Sequence, residues 1–177
     1  MKTNSCGGWT KGWAKGWAKF GAGFGVLVAV MAAGVGSPAR AAEGQTATAD
    51  LATLYNEHQR VMTLRDACIA AQPERKGEFG GAYQDWMHRH VRIVDDLDNR
   101  FAAIIKRASK DRADYTRNYG KYQSEVVQMR EDSKKALLAN KDALTLQCAA
   151  FPGYLRDPKS DIPALFPAEF KRVYRVR

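Results

Sequence analysis

The sequence lacks several motifs on which common enzyme and cofactor assignments depend. It contains no Gly-x-Ser-x-Gly turn, no phosphate-binding glycine loop followed by a lysine, and no Cys-x-x-Cys-His motif for covalent haem attachment. These absences exclude the usual serine hydrolases, phosphate-loop nucleotide enzymes and c-type cytochromes. The sequence therefore predicts a non-enzymatic protein without a bound cofactor.

The first 41 residues contain no acidic residue, and this absence marks a separate segment. A lysine-containing stretch up to Lys19 precedes an apolar run over residues 20–36, and Ala39-Arg40-Ala41 follows it. This order is that of a secretory signal. It predicts a cleavable signal peptide over residues 1–41, with cleavage before Ala42, and a single periplasmic domain over residues 42–177.

An uncleaved membrane anchor is the alternative for this segment. The apolar run has 17 residues, which is the lower limit for a membrane-spanning helix. The small residues at Ala39 and Ala41 favour cleavage. Cys6 precedes the apolar run, so it is not the lipid-bearing cysteine of a lipoprotein.

Net charge gives little reason to expect a nucleic-acid partner. The formal charge of the whole chain is +9, and five basic residues lie in residues 1–41, which leaves +4 for residues 42–177. Such a charge is ordinary for a soluble domain of this length.

Only two cysteines, Cys68 and Cys148, lie after the predicted signal. In an oxidising compartment, one pair of cysteines predicts one disulfide. Such a bond, closing a loop of 80 residues, stabilises the fold by about 4 to 5 kcal/mol in the chain-entropy model.

Three stretches repeat apolar residues at intervals of three and four, which indicates helices. The sequence predicts an all-α fold. The third stretch weakens between residues 130 and 141, and either one long helix or a kinked one fits it. The predicted helices cover residues 50–72, 82–108 and 112–150.

The predicted disulfide favours a particular arrangement of these helices. Cys68 and Cys148 both lie near the C-terminal ends of their predicted helices, and such ends meet after two chain reversals. We therefore expect an antiparallel three-helix bundle. Residues 151–170 contain four prolines among apolar residues, which predicts an extended C-terminal segment packed on the bundle.

Two histidines, His58 and His90, lie on the predicted apolar stripes. They are interpreted as core histidines, each with a hydrogen-bond partner. The alternative is a small periplasmic haem or redox carrier, in which one of them binds iron together with a methionine from a facing helix. The available methionines are Met62, Met87 and Met129.

The start of the third helix combines aromatic and basic residues and is the candidate partner surface. The simpler interpretation is a core edge covered by the aliphatic parts of basic side chains. The functional interpretation is a contact surface for an envelope protein or an anionic envelope polymer. Its residues are Arg112, Tyr115, Arg117, Tyr119, Lys121 and Tyr122.

The overall layout resembles, in a general way, the small exported helical proteins of Gram-negative bacteria. The resemblance concerns architecture alone and implies no role for any residue. The leading hypothesis from the sequence is a periplasmic helical protein that binds or buffers another envelope component.

Overall fold

The computed structural model describes the backbone of residues 38–175 and the side chains of residues 46–174. Residues 1–37 of the predicted signal peptide therefore lie outside the described residues. The chain divides into two compact units, Met1–Gln45 and Thr46–Arg177. The described backbone is all-α, as predicted, and its six helices are α1 (Pro38–Ala71), α2 (Lys76–Ala108), α3 (Arg112–Ala139), α4 (Lys141–Arg156), α5 (Ile162–Leu165) and α6 (Pro167–Arg175).

Contacts between helices give the direction of each one. Tyr55 of α1 packs against Tyr122 of α3, with ring centroids 6.4 Å apart. Further along both helices, Asp66 of α1 accepts a hydrogen bond from Arg130 of α3 at 3.1 Å. Residue numbers rise together in these two contacts, so α1 and α3 run in the same direction.

The C-terminal part of the chain runs the other way. Cys148 of α4 is bonded to Cys68 of α1, with an S–S distance of 2.03 Å. Arg172 of α6 binds Asp50, much nearer the start of α1. The segment from α4 to α6 therefore runs antiparallel to α1. The predicted disulfide is confirmed.

Helix α1 is the central helix of the second unit, because its side chains from residue 50 to residue 68 are buried in almost every direction. Helices α2, α3 and α4 each contact it. A helix buried on all sides needs no amphipathic pattern. Its buried polar residues are Asp50, Glu57, His58, Gln59 and Thr63.

The predicted third helix is two helices. Helix α3 ends at Ala139, and Asn140 adopts a non-helical backbone with ψ of 78°. The Asn140 side chain then accepts a hydrogen bond from the Ala143 amide at 3.2 Å and caps α4. The chain reverses here, so the three-helix bundle is not confirmed. Cys148 lies in the first half of a fourth antiparallel segment rather than at the end of a third helix.

The prediction of an extended segment over residues 151–170 is wrong. Helix α4 continues to Arg156, and α5 and α6 follow. Pro163 and Pro167 occupy first-turn positions, where the missing amide hydrogen costs no helical hydrogen bond. Pro152 lies inside α4 and is buried. Burial of its neighbours Phe151 and Leu155 against the core compensates for the hydrogen bond it removes.

Two helices begin earlier than predicted. Helix α2 starts at Lys76 rather than residue 82, and α1 starts at Pro38 rather than residue 50. The glycine-rich stretch before residue 82 becomes helical because Phe79 is completely buried and contacts Phe151 of α4, with ring centroids 6.3 Å apart. Tertiary packing thus outweighs the low helix propensity of glycine.

Candidate functional site

The three tyrosines of the candidate surface lie along one side of α3. Tyr115 and Tyr119 are half-buried and stack with ring centroids 5.6 Å apart. Tyr122 is buried and stacks on Phe101 of α2 at 5.5 Å. Tyr122 thus belongs to the core, whereas Tyr115 and Tyr119 form the edge at which the core reaches the surface.

The basic residues of the candidate surface are divided between two sides of the helix. Arg117 and Lys121 lie two positions from Tyr119, which places them on the opposite face. Arg117 forms a salt bridge with Asp114 at 2.6 Å, and Lys121 lies 3.8 Å from Glu125. Arg112 is exposed and lies one helical turn before Tyr115. The structure therefore brings Arg112, Tyr115 and Tyr119 together, and it separates Arg117 and Lys121 from them.

Sequence reasoning missed a basic group beside Arg112. The turn between α2 and α3 places exposed basic residues within seven positions of one another. None of these residues forms a salt bridge with any part of the chain whose side chains are described. The density of basic residues was the available signal. We call this group the basic turn, and it consists of Lys106, Arg107, Lys110 and Arg112.

His90 is a core histidine with both ring nitrogens in use. Its Nε2 lies 3.2 Å from the backbone amide of Ile162, which can only donate. Nε2 therefore accepts, and Nδ1 carries the hydrogen that is donated to the carbonyl oxygen of Trp86 at 2.7 Å. The ring also stacks on Trp86, with centroids 4.2 Å apart. These contacts fix α5 against α2.

His58 also lies beside the Trp86 ring. Its Nε2 is 3.3 Å from the hydroxyl of Tyr83, and its Nδ1 is buried without a hydrogen-bond partner. Burial, together with the positive charges of Arg130 and Arg65 and the neighbouring His90, lowers the pKa of His58 to about 4. The ring is therefore neutral at ordinary pH.

The contacts of His90 bear on the haem-carrier alternative. An iron ligand at His90 would have to break either the bond to Ile162 or the bond to Trp86. Met62, Met87 and Met129 are each half-buried. Among the residues with described side chains, no group of three or more histidine, cysteine, aspartate or glutamate residues is placed to hold a metal ion.

A buried charged group, also missed from the sequence, joins α1 to α4. Glu57 forms a salt bridge with Arg60, three residues later in α1. Both bind the hydroxyl of Tyr154: Arg60 donates to it at 2.9 Å, and the hydroxyl donates to Glu57 at 3.3 Å. Burial, and then the negative charge of Glu57, raises the pKa of Tyr154 to about 12. The spacing of Glu57 and Arg60 indicated a helical pair, but no sequence signal indicated the partner.

Comparison with known proteins gives no assignment. No protein family model matches the chain, and no curated protein or solved structure is significantly similar to it. Within residues 38–175, no helix is both long and apolar enough to cross a membrane.

Proposed function

We propose that the protein is exported to the periplasm and acts there as a non-enzymatic helical protein that binds another envelope component. The surface around Arg112, Tyr115 and Tyr119 is the proposed contact site. The leader-like residues 1–41 support export, and the bond between Cys68 and Cys148 suits an oxidising compartment.

The observation that supports a binding role is that the buried polar groups bind other parts of the fold. Asp50 and Glu57 each bind a residue of another helix, and His90 uses both of its ring nitrogens to hold neighbouring backbone. Side chains that resemble catalytic groups therefore serve packing. Arg112 and the stacked tyrosines remain at the surface.

Export is tested by separating periplasm, membrane and cytoplasm and sequencing the N-terminus of the protein. We expect the soluble periplasmic form to begin at Ala42. Recovery of the intact N-terminus in the membrane fraction would instead establish the uncleaved anchor.

Binding is tested with the purified exported form and washed envelope fragments from cells that lack the protein. Arg112→Glu combined with Tyr115→Ala should weaken retention by roughly tenfold, because it reverses one charge and removes one aromatic anchor. The matched control is Lys141→Glu combined with Leu146→Ala, which changes an exposed cation and an exposed apolar residue on α4. Equal retention of both variants would contradict the proposed contact site.

A further inference from the structure

The positive charge of the domain is concentrated in one short segment. Residues 102–121 contain six basic and two acidic residues, a net charge of +4. Residues 42–177 as a whole also carry +4. The remainder of this region is thus electrically balanced, and the excess charge lies around the turn between α2 and α3.

The fold places this segment at one end of the second unit. Tyr55, Phe101 and Tyr122 form a layer, in which Tyr55 lies 5.0 Å from Phe101 and 6.4 Å from Tyr122 between ring centroids. Beyond this layer, α2 continues to the basic turn and α3 begins from it. Helix α1 continues from the same layer back toward Thr46. The basic turn and the start of the described α1 side chains therefore lie at the same end.

The acidic residues within the segment are used by the helix itself. Asp111 accepts a hydrogen bond from the Asp114 amide at 2.8 Å and caps α3. Asp114 accepts hydrogen bonds from Arg117 at 2.6 Å and from the Lys110 amide at 3.0 Å. Neither carboxylate forms a salt bridge with a side chain of the basic turn, whose four cations face solvent.

Helix α6 contacts α2 next to the aromatic layer. Its Val173 carbonyl oxygen accepts a hydrogen bond from Arg100 of α2 at 3.2 Å. Lys171 is exposed on the same helix. Tyr115 and Tyr119 lie beside the basic turn, and tyrosine favours the interface between membrane and water. A cluster of cations edged by tyrosine rings suits an anionic membrane surface better than a linear polymer, which has no interface between lipid and water.

From these observations we propose that the basic turn docks onto the anionic phospholipid headgroups of a membrane. The proposal rests on the proposed function, and it names the envelope component as the lipid surface. Each lysine or arginine near an anionic membrane contributes about a fivefold factor to partitioning, so four of them give useful, reversible binding. The attraction is screened by salt.

The test is co-sedimentation of the purified exported form with vesicles of phosphatidylcholine alone and of phosphatidylcholine mixed with phosphatidylglycerol. The test variant is Lys106→Glu combined with Lys110→Glu. The control is Lys135→Glu combined with Lys141→Glu, which makes the same change in net charge on exposed lysines at the other end of α3 and the start of α4. Thermal unfolding checks that both variants are folded.

We expect binding to the mixed vesicles alone, a loss of roughly tenfold or more in the test variant, and little change in the control. Equal losses in both variants would show a dependence on net charge and overturn the proposal. Binding to envelope fragments, without binding to mixed vesicles, would overturn it while leaving the proposed function in place. Failure to bind either fragments or vesicles would contradict both.

Discussion

The guanidinium of Arg172 holds the carboxylate of Asp50 by two hydrogen bonds, at 2.6 and 2.8 Å. Asp50 is buried, whereas the Arg172 side chain is about half exposed. The contact joins the last helix to the first described turn of side chains in α1. The two partners differ in their access to water. If the pair is broken, water reaches the Arg172 guanidinium but not the Asp50 carboxylate.

This inequality predicts an asymmetric mutational effect. Arg172→Leu leaves a buried carboxylate without its counter-charge, whereas Asp50→Asn leaves an arginine that water can reach. We expect Arg172→Leu to lower the urea midpoint of unfolding more than Asp50→Asn does. Lys171→Leu, on the neighbouring exposed lysine, is the control and should change the midpoint little. A larger effect from Asp50→Asn would contradict the burial of this carboxylate.

The disulfide should contribute strongly to stability. Replacing both Cys68 and Cys148 by alanine removes a cross-link that spans 80 residues. The chain-entropy model then predicts a loss of about 4 to 5 kcal/mol in the free energy of unfolding. Urea denaturation of the oxidised protein and of the double variant measures this loss. A difference near zero would mean that the unfolded chain is already compact around these positions.

Acid should destabilise the protein through His58. Its folded pKa, about 4, lies below the unfolded value of 6.5, so the folded state favours the neutral ring. The corresponding stability is complete above the unfolded pKa and is lost as pH falls from 6.5 toward 4, by about 3 kcal/mol in total.

His58→Gln should remove this part of the pH dependence. Free energies of unfolding measured between about pH 7 and pH 4 then fall less steeply in the variant than in the parent protein. His88→Gln is the control, since His88 is exposed on α2. The assignment to His58 fails if both variants follow the parent curve.

Gly120 offers a stabilising substitution. It lies inside α3, and a Cβ added there meets no heavy atom within 4 Å apart from its chain neighbours and the backbone of its own helix. Gly120→Ala should therefore raise the free energy of unfolding by up to about 1 kcal/mol through helix propensity alone. The matched control is Ala136→Gly, at an exposed position of the same helix, which should lower it by a similar amount. A loss of stability in Gly120→Ala would mean that α3 is not regular at this point.

The sequence predicted those parts of the fold that follow from local patterns. The apolar stripe was sufficient to predict α2, and the pair of cysteines was sufficient to predict the disulfide. The sequence does not mark Asn140 as a helix cap, because good helix formers lie on both sides of it. Its effect is the reversal between α3 and α4, which depends on how α4 packs against α1.

The C-terminal helices and the central position of α1 depend on long-range contacts, which local sequence patterns do not indicate. Pro163 and Pro167 indicated breaks, yet each one lies in the first turn of a short helix, where proline is tolerated. Glu57 and Thr63 are polar residues, and no local pattern indicates that both are buried in the structure. At the candidate surface, the spacing of the tyrosines predicts that they share one side of α3. The basic turn could be identified only from the structure, which shows which cations lack a salt bridge.

The central position of α1 has a consequence for the order in which the protein can be completed. The described helix nearest the N-terminus is held by residues from the far end of the chain, because Cys148 and Arg172 both bind it. A chain without α4 and α6 lacks the residues of other helices that bind Glu57 and Asp50. The covering of α1 in residues 46–174 is therefore complete only when the C-terminal helices are present.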